Sequence, residues 1–337
     1  MRFAGRIFPV LLVIICTSAW AAVVRSPSEA AAVVEALLSE RNKPSGAHKT
    51  APIGELQSEL PRFAVEVRMV NLLVSATDGA GHPVKGLVAG AFRVFENGVE
   101  QDPAFVASEE VAFNLALLLD LSGSTLRDRN TMKLAARRLI EIARPQDKIA
   151  VYALAADQFR VIAPLDSDRT RLLRAVETIP DLEGSTPLYA SIALAWDQEL
   201  AARPSERNAL VVISDGLDDS LEGKPTPLVF ARLLRAVPYM PVLIYPIYLD
   251  SQNIFYGARA RRNMEGLARA SGARILAARS AEELEPAYAA LAEELRSVYT
   301  LAYYPKNQNF DGGWRRVEVR CLRPGVRLRV RQGYYAR

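Results

Sequence analysis

Residues 113–119 form a near-continuous apolar run (Phe113, Leu115, Ala116, Leu117, Leu118, Leu119) that ends in a carboxylate, Asp120. A strand with one wet face alternates apolar and polar residues, whereas a strand covered on both faces does not. This run therefore demands a layer of structure on each side. Residues 209–213 repeat the pattern and lead through Ser214 to Asp215. Between and after these two runs, helical periodicity alternates with short apolar stretches. Residues 129–143 place Met132, Ala136, Leu139, Ile140 and Ala143 on one helix face, and Pro145 ends it. Further helices are expected over 170–179, 188–201, 228–236, 264–270 and 281–295. Further strands are expected over 149–154, 242–249 and 274–277, with 158–163 as a short antiparallel edge. Strands alternating with helices give an α/β class with a doubly wound, mostly parallel sheet.

The 337 residues exceed one ordinary domain, and the flanks differ in texture from this centre. Arg2 and Arg6, an apolar run over 7–16, and Ala19-Trp20-Ala21 read as a signal peptide over 1–21 with an A-x-A cleavage site. The alternative is an uncleaved anchor, although the run is short for a membrane span. Export to the periplasm or the exterior follows, with no transmembrane span once the signal is removed. Cleavage takes the formal net charge from +4 to +2, because Arg2 and Arg6 leave and no acid does, which is too mild for a nucleic-acid partner. It also leaves Cys321 as the remaining cysteine, expected to pack as a small hydrophobe.

Residues 22–61 read as a spacer whose Ala-rich stretch, 28–40, is helical and either stands free or docks. Residues 62–108 are expected to form an N-terminal β domain, in which Asn97-Gly98 between two strand patterns marks a hairpin. From 298 to 337 the chain is again β, with strands over 299–304, 317–321 and 326–331. The last two are expected to pair around Pro324-Gly325, with Arg320, Arg327, Arg329 and Arg331 on a wet face. The two β flanks are expected to meet as a small β-sandwich.

The chemistry lies at strand ends, where open α/β sheets bind ligands. Asp120, Ser122 and Ser124 are oxygen donors in one turn, and Gly123 lets that turn close tightly. Thr186 precedes Pro187 at a helix start, and Asp215 ends the second buried strand. Each piece alone is ordinary turn and cap chemistry. Together these oxygens suit a hard divalent cation with water completing the shell. Asp218 and Asp219 read as a solvated acidic loop, or else as residues that tune the site.

Asp120-x-Ser122-x-Ser124, then Gly184-Ser185-Thr186-Pro187-Leu188, then Ser214-Asp215-Gly216, in this order, resembles a von Willebrand factor type A domain. The resemblance spans 111–297 and fills every position of that family's metal-ion-dependent adhesion site. The flanks resemble a bacterial exported group of such proteins, on Val84 to Leu87, the stretch around Asn97-Gly98, and Gly333-Tyr334. The resemblance implies Mg²⁺, or Mn²⁺ or Ca²⁺, at Asp120, Ser122, Ser124, Thr186 and Asp215. It also implies a protein partner presenting Asp or Glu to that cation. Two other readings stand beside it: a metal-free scaffold for assembling an envelope complex, and a metal-assisted hydrolase. Catalysis is not expected. The two histidines, His48 and His82, lie outside the α/β centre, and there is neither a Gly-x-Ser-x-Gly elbow nor a phosphate-binding Gly-rich loop ending in Lys.

Overall fold

The computed structural model describes residues 24–39, 69–107, 111–179, 184–226, 228–249, 253–278 and 281–336. The signal-peptide reading and most of the spacer lie outside them. Among the described residues no helix is long and apolar enough to cross a membrane.

In chain order the elements are β1 (Val24–Arg25), α1 (Ser28–Ser39), β2 (Val70–Thr77), β3 (Phe92–Glu96), β4 (Val99–Gln101) and β5 (Pro103–Ala107). The α/β part follows as β6 (Phe113–Asp120), α2 (Arg129–Ile142), β7 (Lys148–Ala155), β8 (Gln158–Asp166), α3 (Arg169–Glu177), α4 (Leu188–Ala195) and β9 (Arg207–Ser214). It continues through α5 (Phe230–Ala236), β10 (Leu243–Leu249), α6 (Gly257–Ser271), β11 (Leu276–Ala278) and α7 (Ala281–Arg296). The chain ends in β12 (Tyr299–Tyr303), β13 (Trp314–Cys321), β14 (Arg327–Arg329) and β15 (Gly333–Tyr335).

Among the described residues one sheet has seven strands in the order β1-β8-β7-β6-β9-β10-β11. Strands β7, β6, β9, β10 and β11 run parallel, and β8 and β1 close one side antiparallel. Every residue of β6 and of β9 is buried, as two-sided cover requires. Phe113, Leu115, Leu117 and Leu119 face α2, α3 and α7, whereas Ala116 and Leu118 face α1, α4, α5 and α6. Truncating one of these buried leucines to alanine removes about 2–5 kcal/mol of stability.

Helix α4 is apolar all round and wholly buried, because α1 covers the side turned away from the sheet. Ala30 and Val34 of α1 join that core, and Arg25 reaches Asp197 at 2.8 Å. The helix left open by the sequence thus docks. Strand β1 also covers β8, which is therefore an inner strand rather than the edge.

Two four-stranded antiparallel sheets, β14-β2-β12-β5 and β15-β13-β3-β4, each mix strands from both flanks. They enclose one core containing Leu72, Val74, Phe92, Val94, Tyr299, Leu301, Tyr303, Val317 and Val319. The β3–β4 hairpin turns through Asn97 (φ 49°) and Gly98 (φ 83°), the two positive φ values that a two-residue turn of this hand requires.

The expected β13–β14 hairpin does not form. β13 pairs with β15 and β3, and β14 pairs with β2 in the other sheet. The Pro324-Gly325 turn carries the chain across the sandwich instead of folding it back. Two of the four arginines on the supposed wet face consequently turn inward. Arg329 reaches the buried Glu294 at 2.7 Å, and Arg331 donates to the Asn71 carbonyl at 2.9 Å. Cys321 is a free, partly buried thiol packed against the sandwich core.

Candidate functional site

The sheet order reverses at β6: the chain moves outward through β7, then returns to the other side of β6 with β9. Ligand sites in such sheets form at the carboxyl ends of the strands flanking this reversal. Asp120 is the last residue of β6, and Asp215 directly follows β9, its hydrogen-bonded neighbour. The topology thus brings together two carboxylates that lie far apart in sequence.

Both are withdrawn from water, Asp120 completely and Asp215 at 6 % exposure. Burial, and then the nearby Asp215 charge, push the Asp120 carboxyl up to about 7. Its oxygens are nonetheless held in place. The Ser122 N–H donates to Oδ1 at 3.2 Å, and the Ser214 hydroxyl donates to Oδ2 at 2.6 Å. Ser214 itself accepts from the Gly216 N–H at 2.8 Å, so one hydroxyl joins both strand ends. Gly216 stands at φ 74° with α6 against it, where a Cβ would lie 3.1 Å from the Met264 side chain. The hydroxyl of Thr125 donates to the Asp120 carbonyl at 2.5 Å and to that of Ser122 at 3.1 Å, closing the turn after β6. Ser122 is fully buried beside Asp120, and Ser124 belongs to the following turn, Gly123–Asp128.

Thr186 enters on the third loop. The Gly123 N–H donates to the Gly184 carbonyl at 3.3 Å, tying this loop to the turn after β6. Gly184 is obligatory here, since a Cβ would sit 2.7 Å from the Ala156 Cα and the Asp157 backbone nitrogen. That neighbour is the β7–β8 turn, where Ala156 (φ 51°) and Asp157 (φ 63°) both take the left-handed conformation. Non-glycine residues adopt it at a cost of about 1–2 kcal/mol each. The Asp157 carboxylate accepts from the Ser185 N–H, so the strained turn supports the loop.

The sequence reading misplaced the remaining carboxylates. Asp218 and Asp219 are not solvated: they are 1 % and 7 % exposed. Asp219 Oδ1 accepts from the Thr186 N–H at 3.2 Å, and the Asp219 N–H donates to the Thr186 carbonyl at 3.1 Å. Asp218 Oδ2 accepts from the Tyr189 N–H in the first turn of α4 at 3.1 Å. Thr186 therefore does not cap α4 with its side chain, a task that Asp218 performs from across the cleft. Ser214 was also overlooked. Its position just before Asp215 is visible in the sequence, but its bond to Asp120 depends on β6 and β9 being neighbours.

The model of the von Willebrand factor type A domain family matches residues 115–217, the stretch from the middle of β6 to the loop after β9. The chain carries a von Willebrand factor type A domain. No curated protein matches the sequence. Several solved structures are similar in fold. A von Willebrand factor type A protein from Catenulispora acidiphila is 13 % identical, with 81 % of this chain and 75 % of that one covered and a TM-score of 0.45. An aerotolerance-related membrane protein from Bacteroides fragilis is 16 % identical, covering 55 % of this chain and 98 % of that one at a TM-score of 0.41. Proximal thread matrix protein 1 from the mussel byssus, with a zinc-occupied adhesion motif, is 13 % identical at a TM-score of 0.46. That comparison covers 59 % of this chain and about half (49 %) of the mussel protein.

On the same carboxyl-end side, the loop between β10 and α6 carries Ile254 and Phe255 at 87 % and 82 % exposure. Tyr256 beneath them packs with Leu217 and Leu221, which follow Asp215. The Asn253 carboxamide oxygen accepts from the N–H groups of Phe255 and Tyr256 at 3.0 and 2.9 Å, pinning the loop.

Proposed function

We propose that this protein is an exported, metal-ion-dependent protein-binding module and not an enzyme. In this reading Asp120, Ser122, Ser124, Thr186 and Asp215 hold Mg²⁺, with Mn²⁺ or Ca²⁺ as substitutes, and a partner's Asp or Glu completes the shell. The observation that carries the reading is the pairing of Asp120 with Asp215. Two buried carboxylates stand at neighbouring strand ends, and burial together with the Asp215 charge drives the Asp120 carboxyl up to about 7. A cation would relieve that conflict. The donors are all oxygens, rich in hydroxyls and poor in charge, which fits a hard divalent ion that still attracts an anionic ligand.

When bound, the cation would supply positive charge at the cleft mouth for an incoming carboxylate. The chain's own residues do the rest. Ser214 and the Ser122 N–H orient Asp120, and the loop bonds hold Thr186 opposite. The pinned, exposed Ile254 and Phe255 supply apolar area on the same side for a protein surface. The matched family is in keeping with a binding role.

Titration calorimetry of the purified protein with Mg²⁺ and Mn²⁺ tests the reading. Saturable binding that Asp120→Ala or Thr186→Ala weakens at least 100-fold, without loss of the fold, is expected. Absence of binding to wild type, with Asp120→Ala indistinguishable from it, would leave the metal-free scaffold in its place.

A further inference from the structure

We infer that Asp219 is a positioning residue: with Asp218 it clamps the Thr186 loop to the Asp215 loop and so sets the separation of the proposed ligands. The inference rests on the metal reading for its consequence, though not for its geometry. Asp219 and Thr186 are bonded in both directions, Thr186 N–H to Asp219 Oδ1 at 3.2 Å and Asp219 N–H to the Thr186 carbonyl at 3.1 Å. A single bond would let Thr186 pivot, whereas a reciprocal pair fixes both its distance and its rotation. Asp218 adds the Tyr189 N–H at 3.1 Å, two residues past Pro187, so α4 starts at a set height above the sheet.

Asp218 is itself locked by the Ser220 N–H at 2.9 Å and by the Ser220 hydroxyl, which leaves Oδ2 aimed at α4. Each bond crosses from the segment after β9 to the loop before α4 or to its first turn, and at least 29 residues separate the partners. These bonds carry a direct polar link between segments far apart in the chain. The Asp219 carboxylate also meets Lys224 Nζ at 3.8 Å, in a side chain more than half exposed. Groups that hold ligands rather than bind metal alter metal affinity about 10–100-fold when removed.

The test compares Asp219→Ala and Asp219→Asn in the full protein, using Mn²⁺ binding and amide hydrogen exchange. Asn retains an oxygen that can accept from the Thr186 N–H, so Asp219→Asn should bind Mn²⁺ within a few-fold of wild type. Asp219→Ala should weaken Mn²⁺ binding about 10–100-fold. In metal-free protein it should also release the Thr186 amide to exchange, while the β6 and β9 amides stay protected. If wild type binds no Mn²⁺, the metal reading fails, and the exchange data still decide the clamp. Unchanged Thr186 exchange in Asp219→Ala overturns the clamp. So does equal loss of global protection in both variants, which would make Asp219 a general core residue.

Discussion

Both halves of this molecule bury carboxylates, yet they treat them in opposite ways. In the β-sandwich, Glu96 is 3 % exposed and fully engaged: Arg315 Nη1 lies 2.9 Å from Oε1, and the hydroxyls of Tyr303 and Tyr334 donate to Oε2 at 2.8 and 2.6 Å. Where the sandwich meets the α/β sheet, Glu294 is equally closed off, with Arg274 at 2.6 Å, Arg329 at 2.7 Å and the Tyr245 hydroxyl at 3.1 Å. At the carboxyl end of the α/β sheet, Asp120 instead receives neutral donors and faces a second acid. A buried charge with its counter-charge built in is structural. A buried carboxylate set against a second acid raises the cost of its own charge, which is the feature the proposed cation would relieve.

The largest test of this contrast lies in the sandwich. Glu96→Gln should cost about 3–5 kcal/mol in urea unfolding, because it strands the buried Arg315 guanidinium. Asp120→Asn should do the reverse in metal-free protein, raising the unfolding midpoint at pH 8 or leaving it unchanged. The amide relieves the repulsion from Asp215, and the Ser214 oxygen has lone pairs for both the new N–H and that of Gly216. Equal destabilisation by the two variants would break the comparison.

A smaller effect concerns pH. With the Asp120 carboxyl raised to about 7, folded metal-free protein keeps a proton that the unfolded chain releases near 4. The unfolded state therefore binds fewer protons across this window, and stability should fall as pH rises from about 4 to 7, then level. Melting temperatures measured with EDTA should show that slope, and excess Mg²⁺ should flatten it. A rising stability across the same window would contradict the assignment. The smallest effect belongs to the solvent-exposed Arg320–Glu318 pair at 2.7 Å, where Glu318→Gln should change stability by less than about 1 kcal/mol. It is the control showing that burial, rather than pairing as such, separates the two regions.

Much of the α/β half was legible from local pattern. Residues 113–119 and 209–213 announce two-sided burial because neither face offers water a polar side chain, and β6 and β9 are buried at every position. The Asn97-Gly98 turn was legible because few residue pairs accept two positive φ values. The β13–β14 pairing was not, since Pro324-Gly325 specifies that the chain turns but not which sheet receives the next strand. Arg329 looked solvated by alternation, and only Glu294, 35 residues away, draws it inward. Asp218 and Asp219 looked like a wet acidic loop for the same reason: their partners, Tyr189 and Thr186, belong to another loop.

The sequence by itself therefore determined which segments are buried on two faces, where the chain must turn, and which oxygen-bearing residues stand at strand ends. These are properties of a few neighbouring residues, set by sterics and by the cost of burying polar groups. The tertiary structure alone decided that Asp120 and Asp215 lie side by side, that the Ser214 hydroxyl links Asp120 to the Gly216 N–H, and that Asp219 holds Thr186. Each of these depends on β9 returning beside β6, and electrostatic and hydrogen-bond energies are set by distance in space rather than separation along the chain.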